Sequence, residues 1–140
     1  MRDIDHFIDG STYVGTSGRF SDVMDPNTGE VQARVQLATV GEVDKAVQAA
    51  QTAFEEWSGT NPQRRARVLF EFKRLVEANM DELAHLLSSE HGKVIADAKG
   101  DIQRGLEVIE FACGIPHALK GEYTQGAGPG IDVYSMRQPL

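Results

Sequence analysis

The sequence lacks the features of secreted, membrane-spanning and disulfide-stabilised proteins. Cys113 is the only cysteine among 140 residues, so an internal disulfide is impossible and a reducing compartment is favoured. No apolar run approaches the roughly 20 residues that cross a bilayer. The N-terminus has neither the basic and apolar regions of a signal peptide nor an Arg- and Ser-rich leader. We therefore predict a cytoplasmic protein with no membrane partner.

Positive charge is also scarce. The chain carries 14 Lys and Arg against 21 Asp and Glu, which gives a formal net charge of −7 and a pI of about 5.0. Binding to nucleic acid depends on a concentrated positive field around the phosphates, and binding to anionic lipid depends on basic clusters. The charge balance therefore argues against both kinds of partner.

The common cofactor and metal motifs are absent from the sequence. It contains no G-x-G-x-x-G, no G-x-x-x-x-G-K-[ST], no C-x-x-C and no H-E-x-x-H. The four histidines, at positions 6, 85, 91 and 117, do not have the spacing of metal ligands. We predict no metal site, and we assign no residue to cofactor binding.

Residues 1–38 have the pattern of two short β-hairpin regions. Asp9-Gly10 is a turn dipeptide between apolar residues, and Asp25–Gly29 reads Asp-Pro-Asn-Thr-Gly between two strand-like segments. Val31, Ala33 and Val35 alternate with polar residues, as in a half-buried strand.

Residues 39–121 predict three amphipathic helices. Thr39 and Glu42 form a capping box, Asn61-Pro62 opens the second helix, and His91-Gly92 closes it. The faces predicted to be buried are Val43, Ala46, Val47, Ala50, Phe54 and Trp57 in the first helix; Val68, Leu69, Phe72, Leu75, Val76, Met80, Leu83, Leu86 and Leu87 in the second; and Ile95, Ala98, Ile102, Leu106, Ile109 and Cys113 in the third. Pro116 limits the third helix.

Residues 122–140 predict the start of a β arm. Gly126–Gly130 is a glycine-rich turn, and an anion cradle is the less favoured interpretation of it. The segment 131–137 then alternates like a strand. The sequence reaches Pro139-Leu140 in the middle of an element, so we expect a partial protein that continues beyond Leu140.

Two candidate sites have a simpler structural explanation. Cys113 is a possible nucleophile, but its place on an apolar helix stripe favours a small buried hydrophobe. A basic cluster in the second helix is interleaved with Glu71 and Glu77, which favours a solvated face over a phosphate site. That cluster comprises Arg64, Arg65, Arg67, Lys73 and Arg74.

Arg104 is the one candidate for substrate binding. One interpretation is a surface ion pair with Asp101 or Glu107 along the same helix. The other is bidentate binding of a substrate carboxylate, which suits the planar guanidinium. Gly100 and Gly105 lie inside this helix, and each glycine costs about 1 kcal/mol relative to alanine in an exposed helix. Two such costs suggest close packing or a nearby ligand.

In several segments the sequence resembles the N-terminal part of an aldehyde dehydrogenase. The matching segments are Phe7–Gly10, Asp25–Glu30, Ala53-Phe54 with Trp57, Arg64-Arg65 and Glu90–Lys93. Within that superfamily it is most similar to the CoA-acylating methylmalonate-semialdehyde dehydrogenases. The segments that carry this closer likeness are Arg104–Glu107, Phe111–His117 and Tyr134–Leu140.

The resemblance implies an α/β fold and an NAD-dependent reaction. In that family a cysteine attacks the aldehyde, hydride passes to NAD, and coenzyme A takes the acyl group with loss of carbon dioxide. Methylmalonate semialdehyde then gives propionyl-CoA, and malonate semialdehyde gives acetyl-CoA. The resemblance also implies that Arg104 holds the substrate carboxylate and that the 122–140 arm supports a homo-oligomer.

The family's catalytic residues have no counterpart here, since Cys113 does not match the nucleophile. We therefore expect NAD and coenzyme A to bind mainly outside this chain, and the chain to be inactive alone. Two alternatives stay open at this point. One is a non-enzymatic helical interaction module, and the other is a hydrolytic aldehyde dehydrogenase of another subgroup.

Overall fold

The computed structural model describes residues 2–138, which divide into two units. Unit 1 contains the residues up to Thr60 together with Asp81–Gly100, and unit 2 contains Asn61–Met80 together with the residues from Asp101 onward. The described elements are the strands β1 (Arg2–Ile4), β2 (His6–Ile8), β3 (Ser11–Tyr13), β4 (Phe20–Met24), β5 (Val31–Gln36), β6 (Tyr123–Gly128) and β7 (Ile131–Tyr134), and the helices α1 (Val40–Gly59), α2 (Pro62–Ala78), α3 (Met80–His91), α4 (Ile95–Cys113) and α5 (Ile115–Ala118).

Both predicted hairpins of the N-terminal region are present in unit 1. β2 and β3 pair antiparallel across Asp9-Gly10, where both residues have positive φ. β4 and β5 pair antiparallel, and β1 adds to β5 in parallel to give the order β1-β5-β4. No sequence pattern predicted β1. The cross-strand pair of Asp3 and Arg34, with an N–O distance of 2.9 Å, lies directly in its register.

The turn between β4 and β5 contacts the end of α3. The Asp25 side chain accepts hydrogen bonds from the backbone of Asn27 and Thr28, which fixes the turn. Gly92 follows α3 with φ of 76°, as predicted for a left-handed cap. A Cβ at Gly92 would lie 3.1 Å from Pro26 Cγ. Two of the segments that carry the family resemblance therefore lie against each other.

Helix α1 begins where it was predicted to begin, but its apolar face is not buried as predicted. Thr39 is the N-cap, and both halves of its capping box with Glu42 are formed. The predicted apolar face, however, is largely exposed at Val43, Val47, Phe54 and Trp57. Their burial was a wrong prediction, since each of these four side chains is at least 44 % exposed.

The predicted second helix is interrupted at Asn79. Asn61 caps α2 and Pro62 is its first residue, as predicted. At Asn79 the side-chain Nδ2 donates to the Leu75 carbonyl at 2.7 Å, and the backbone leaves the helical region before α3 begins. A side-chain amide that competes for backbone carbonyls explains this break. One continuous helix from 62 to 91 was therefore a wrong prediction, and Val68, Phe72, Leu75 and Leu86 of its stripe are exposed.

Each unit has a small core of its own. Ala33, Ala84 and Ala98 are buried in unit 1, and Ala66, Leu106 and Cys113 are buried in unit 2. The predicted stripe of α4 is buried or half-buried along its length. The helix ends at Cys113, and Pro116 stands in the first turn of the short α5, consistent with its predicted role as a stop.

The C-terminal strands form a two-stranded hairpin in unit 2. β6 and β7 pair antiparallel, with an irregular register between Thr124 and Gly128. There Gly126 takes φ of 67° and its N–H donates to the Asp132 carboxylate at 2.8 Å. That amide is therefore used within the hairpin, which favours a structural turn. The strand ends at Tyr134, earlier than predicted, and Pro139-Leu140 lie outside the described residues.

Across residues 2–138, we find no helix long and apolar enough to span a membrane.

Candidate functional site

Arg104 lies on the exposed side of α4. Leu106 and Cys113 on the buried stripe turn its side chain outward, and it is 82 % exposed. Its Nη1 lies 3.5 Å from Glu107 Oε2, one helical turn along. An exposed ion pair of this length contributes little to stability. The predicted ion pair with Glu107 is present. The guanidinium still has other N–H donors that can bind a ligand.

The two glycines inside α4 stand in open space. A Cβ built at Gly100 or Gly105 meets no atom within 4 Å among the described residues. Close packing among residues 2–138 therefore does not explain them. Gly105 leaves the surface beside Arg104 clear, which is compatible with an approaching ligand.

Cys113 belongs to the core of unit 2. It is 9 % exposed and lines a cavity of about 270 Å³ together with Ala66, Phe70, Pro116 and His117. This agrees with the predicted role of a small buried hydrophobe. The position of the thiol on the α4 stripe supports packing and gives no evidence of a nucleophile.

Two members of the basic cluster of α2, Lys73 and Arg74, are paired with acidic side chains. Arg74 contacts Glu71 at 2.6 Å, and Lys73 contacts Glu77 at 2.6 Å and Glu110 at 3.9 Å. The hydrogen bond from Arg74 lowers the pKa of Glu71, and the hydrogen bond to Glu77 raises the pKa of Lys73. These pairs support the predicted solvated face at Lys73 and Arg74. Arg65 differs, because it is half-buried and its Nε has no hydrogen-bond partner among residues 2–138.

Glu42 is the centre of a buried polar site that the sequence pattern predicted only in part. Glu42 is 5 % exposed, and its carboxylate accepts four hydrogen bonds. Oε2 accepts from the backbone N–H and hydroxyl of Thr39, and Oε1 accepts from the backbone N–H and hydroxyl of Thr16. Hydrogen bonds from the Thr39 and Thr16 backbones lower the pKa of Glu42 to about 2.

A second buried side chain holds the same loop. Gln36 is buried, and its amide donates to the Gly15 carbonyl at 2.8 Å. Its Oε1 accepts from the Gly15 N–H, so the two groups form a closed pair. Gly15 is required here, because a Cβ would lie 2.8 Å from the Gln36 amide. Glu42 and Gln36 together fix the Gly15-Thr16 loop to α1 and β5. The capping box predicted the Thr39 contacts, whereas no local pattern pointed to a partner 26 residues away.

The sequence predicts no site for NAD, coenzyme A or a metal ion in this chain, and this stays a prediction. The sequence has no glycine-rich phosphate motif, and among residues 2–138 the parallel pair of β1 with β5 carries no dinucleotide-binding turn. Among residues 2–138, no group of three or more His, Cys, Asp or Glu side chains is placed to hold a metal. We therefore assign no step of a reaction to a cofactor bound by this chain.

The sequence and the fold are similar to those of known proteins. The profile of the Aldehyde dehydrogenase family matches residues 13–140. Malonate-semialdehyde dehydrogenase of Pseudomonas aeruginosa is 44 % identical over 140 residues, which is 100 % of this chain and 28 % of that protein. The mitochondrial acylating methylmalonate-semialdehyde dehydrogenase of Arabidopsis thaliana is 43 % identical over 137 residues, which is 98 % of this chain and 23 % of that protein.

Solved structures agree with the sequence relatives. A methylmalonate-semialdehyde dehydrogenase structure from Sinorhizobium meliloti, complexed with NAD, superposes with a TM-score of 0.95 at 58 % identity. All of this chain aligns with 28 % of the length of that structure. The enzyme from Oceanimonas doudoroffii gives a TM-score of 0.94 at 46 % identity, over 99 % of this chain and 28 % of its own.

The chain thus spans about a quarter of the length of the relatives it matches. The fold class predicted from the sequence is confirmed, since the mixed α/β arrangement corresponds to the N-terminal part of those structures. On the family profile and on these similarities, the chain belongs to the aldehyde dehydrogenase family.

Proposed function

We propose that the chain is the substrate-binding portion of an NAD-dependent, CoA-acylating semialdehyde dehydrogenase. The reaction converts methylmalonate semialdehyde to propionyl-CoA, or malonate semialdehyde to acetyl-CoA, with loss of carbon dioxide. The observation that carries this proposal is Arg104. It is an exposed arginine on α4 with open space beside it, in a chain 44 % identical to a malonate-semialdehyde dehydrogenase.

Arg104 recognises the substrate carboxylate. Both semialdehydes carry one carboxylate, and a guanidinium presents two parallel N–H groups to its two oxygens. A lysine offers a point charge and does not reproduce that geometry. The weak pair with Glu107 leaves the fork able to turn toward a substrate. Gly105 keeps a side chain from blocking the approach.

The bond-making steps belong to the rest of a full-length dehydrogenase. Cysteine attack on the aldehyde, hydride transfer to NAD and acyl transfer to coenzyme A are assigned to no residue of this chain. Cys113 is buried and has a packing role. We therefore propose that the 140 residues are inactive by themselves.

Three further assignments belong to the same proposal. The divisions 1–38, 39–121 and 122–140 are parts of one larger domain. The arm formed by β6 and β7 contributes to a homo-oligomer, and exposed Tyr123, Ile131, Val133 and Tyr134 on its strands support this role. The acidic composition and the single buried cysteine support a cytoplasmic location.

The test compares the isolated chain with a full-length chimera. In the chimera, this chain replaces the matching 28 % of the Sinorhizobium meliloti relative. Each protein is mixed with NAD, coenzyme A and malonate semialdehyde, and NADH and acetyl-CoA are measured. We expect both products from the chimera and neither from the isolated chain. Turnover by the isolated chain, or NADH with free acid and no acetyl-CoA from the chimera, would contradict the proposal.

A further inference from the structure

Two large apolar side chains of α4 lie outside the stripe that packs in unit 2. Leu106 and Cys113 on that stripe are buried. Val108 and Phe111, in contrast, are 68 % and 78 % exposed. Single exposed hydrophobes are ordinary on a protein surface, so the position of these two residues relative to other groups decides what they can do.

Both residues share one side of α4 with Arg104. Val108 comes four positions after Arg104, and Phe111 comes three positions after Val108. Residues at these spacings are neighbours on a helix surface, with Cβ atoms about 5–6 Å apart. Side chains on a helix lean toward its N-terminus. Val108 and Phe111 therefore lean toward the turn that carries Arg104.

The surface between Arg104 and Val108 is open. Gly105 lies three positions before Val108, and a Cβ built on it meets no atom within 4 Å among the described residues. The Arg104 guanidinium extends toward the turn that carries Val108, since its Nη1 lies 3.5 Å from the Glu107 carboxylate. A cation and an apolar patch therefore stand one helical turn apart, with no side chain at position 105 to separate them.

This arrangement matches the chemistry of a 2-methyl semialdehyde. In methylmalonate semialdehyde, the methyl group is bonded to the same carbon that carries the carboxylate. A carboxylate bound to a guanidinium therefore brings the methyl group to the edge of the ion pair, where contact with apolar surface is favourable. Malonate semialdehyde has no methyl group and gains nothing from that contact.

We infer that Val108 and Phe111 form an apolar wall beside Arg104 that binds the C2 methyl group of methylmalonate semialdehyde, so that the site favours the methylated substrate. Ligand sites commonly combine apolar walls with a few polar groups that fix the orientation of the ligand. Here Arg104 orients the substrate, and the wall discriminates between the two semialdehydes. The inference rests on the proposed function, because it requires the substrate carboxylate at Arg104.

A protein surface is the poorer occupant of this wall. Arg104 lies one turn from Val108, so a partner that buried the valine would also take the guanidinium out of water, which is costly for a charge without a close partner. A two-fold contact between copies of this chain would bring the Arg104 side chains toward each other. A small ligand with a carboxylate and a methyl group on one carbon satisfies both groups at once.

The test measures substrate preference in the full-length chimera described above. The quantity is the ratio of kcat/KM for methylmalonate semialdehyde to kcat/KM for malonate semialdehyde, with NADH formation as the readout. Val108→Thr keeps the β-branched shape and replaces one methyl group by a hydroxyl. Val68→Thr is the matched control, because Val68 is 55 % exposed on α2. We expect Val108→Thr to lower the ratio by about tenfold and Val68→Thr to keep the wild-type ratio.

Arg104→Leu separates this inference from the proposed function. We expect it to lower kcat/KM for both semialdehydes to a similar extent, since both carry the carboxylate. If both values stay unchanged, the proposed role of Arg104 is wrong, and the inference fails with it. If Arg104→Leu acts as expected but Val108→Thr and Val68→Thr give equal ratios, the inference alone is overturned. A wild-type ratio below one would also overturn it.

Two further variants decide the matter if Val108→Thr fails to fold. Alanine is the best helix former, so Val108→Ala and Phe111→Ala are compatible with these exposed helix positions. Each removes apolar surface beside Arg104. We expect both to lower the ratio, and Val108→Ala to lower it more, because position 108 is one turn from Arg104 and position 111 is two turns away. Wild-type ratios in both variants would contradict the inference.

Discussion

Glu42 and Arg104 are both charged residues on helices, but they differ in exposure and in hydrogen bonding. Glu42 is buried and accepts four hydrogen bonds from two threonines in unit 1. Arg104 is exposed in unit 2, and its guanidinium lies 3.5 Å from the Glu107 carboxylate. A group whose hydrogen bonds are all made within the chain serves the fold. An exposed fork whose pair with Glu107 is weak can serve a ligand, and this difference separates structural charge from candidate function.

The largest expected effect is on substrate binding by Arg104. In the full-length chimera, we expect Arg104→Leu to raise KM for malonate semialdehyde by about 30-fold or more, because a charged hydrogen-bond partner is lost. The melting temperature should not change, since the exposed ion pair contributes little. Steady-state kinetics and a thermal melt measure the two quantities.

Glu107→Gln is the matched control for this prediction. It removes the partner of Arg104 while it keeps the guanidinium. We expect KM to stay the same or to fall. A rise similar to that of Arg104→Leu would mean that the ion pair itself is needed, and the assigned role would be wrong.

The next effect is on stability, and it depends on pH through Glu42. Its pKa is lowered from 4.5 to about 2 in the folded chain, so the unfolded chain binds more protons between these values. The stabilisation is therefore complete above pH 4.5 and is lost as the pH falls toward 2. We expect the urea midpoint of the wild-type chain to drop from pH 5 to pH 3.

Glu42→Gln sharpens the same comparison. It should lower the urea midpoint at pH 7 and make it less sensitive to pH between 5 and 3, because the titrating carboxylate is gone. Asp44→Asn, an exposed neighbour on α1, is the control and should behave like the wild type. An unchanged pH dependence in Glu42→Gln would show that other carboxylates govern acid unfolding.

Gly92→Ala should destabilise unit 1 by about 1–2 kcal/mol. The residue has φ of 76°, which costs a residue with a Cβ roughly that amount, and the added Cβ would press on Pro26. Gly100→Ala is the control, since it lies inside α4 with nothing within 4 Å of its Cβ. We expect the control to stabilise by about 0.5–1 kcal/mol. Chemical denaturation measures both, and equal signs would contradict the assignment of Gly92 as a cap.

Thr39→Ala should cost about 1 kcal/mol, the usual loss for an N-cap. Thr39→Ser keeps the hydroxyl that accepts a hydrogen bond from the Glu42 N–H, so it should retain most of the wild-type stability. Denaturation of the two variants at pH 7 checks this. If the serine variant were as unstable as the alanine variant, the methyl group would matter more than the cap.

Local signals in the sequence predicted much of the secondary structure. Asp25–Gly29, the Thr39 capping box, Asn61-Pro62 and Gly92 each depend on neighbours within a few residues, and each prediction is confirmed. The break at Asn79 was missed, because the apolar stripe continues across it and one side-chain hydrogen bond decides the outcome.

Long-range features were less accessible. The parallel pairing of β1 with β5 joins residues about 30 positions apart, and Glu42 reaches Thr16 across 26. The amphipathic pattern of α1 predicted correctly that one side is apolar, but a periodicity does not say what covers that side. Arg104 could be singled out by its residue type and its neighbour Gly105, whereas its role as a carboxylate ligand stays a prediction.

The most direct test of the account is the discrimination between a charged and an uncharged aldehyde. In the chimera, kcat/KM is measured for malonate semialdehyde and for propanal, with Arg104 and with Arg104→Leu. We predict that the wild-type preference for the carboxylated substrate falls by about 30-fold or more in the variant, while kcat/KM for propanal changes little. Equal losses for both aldehydes, or an unchanged preference, would contradict the claim that Arg104 recognises the substrate carboxylate.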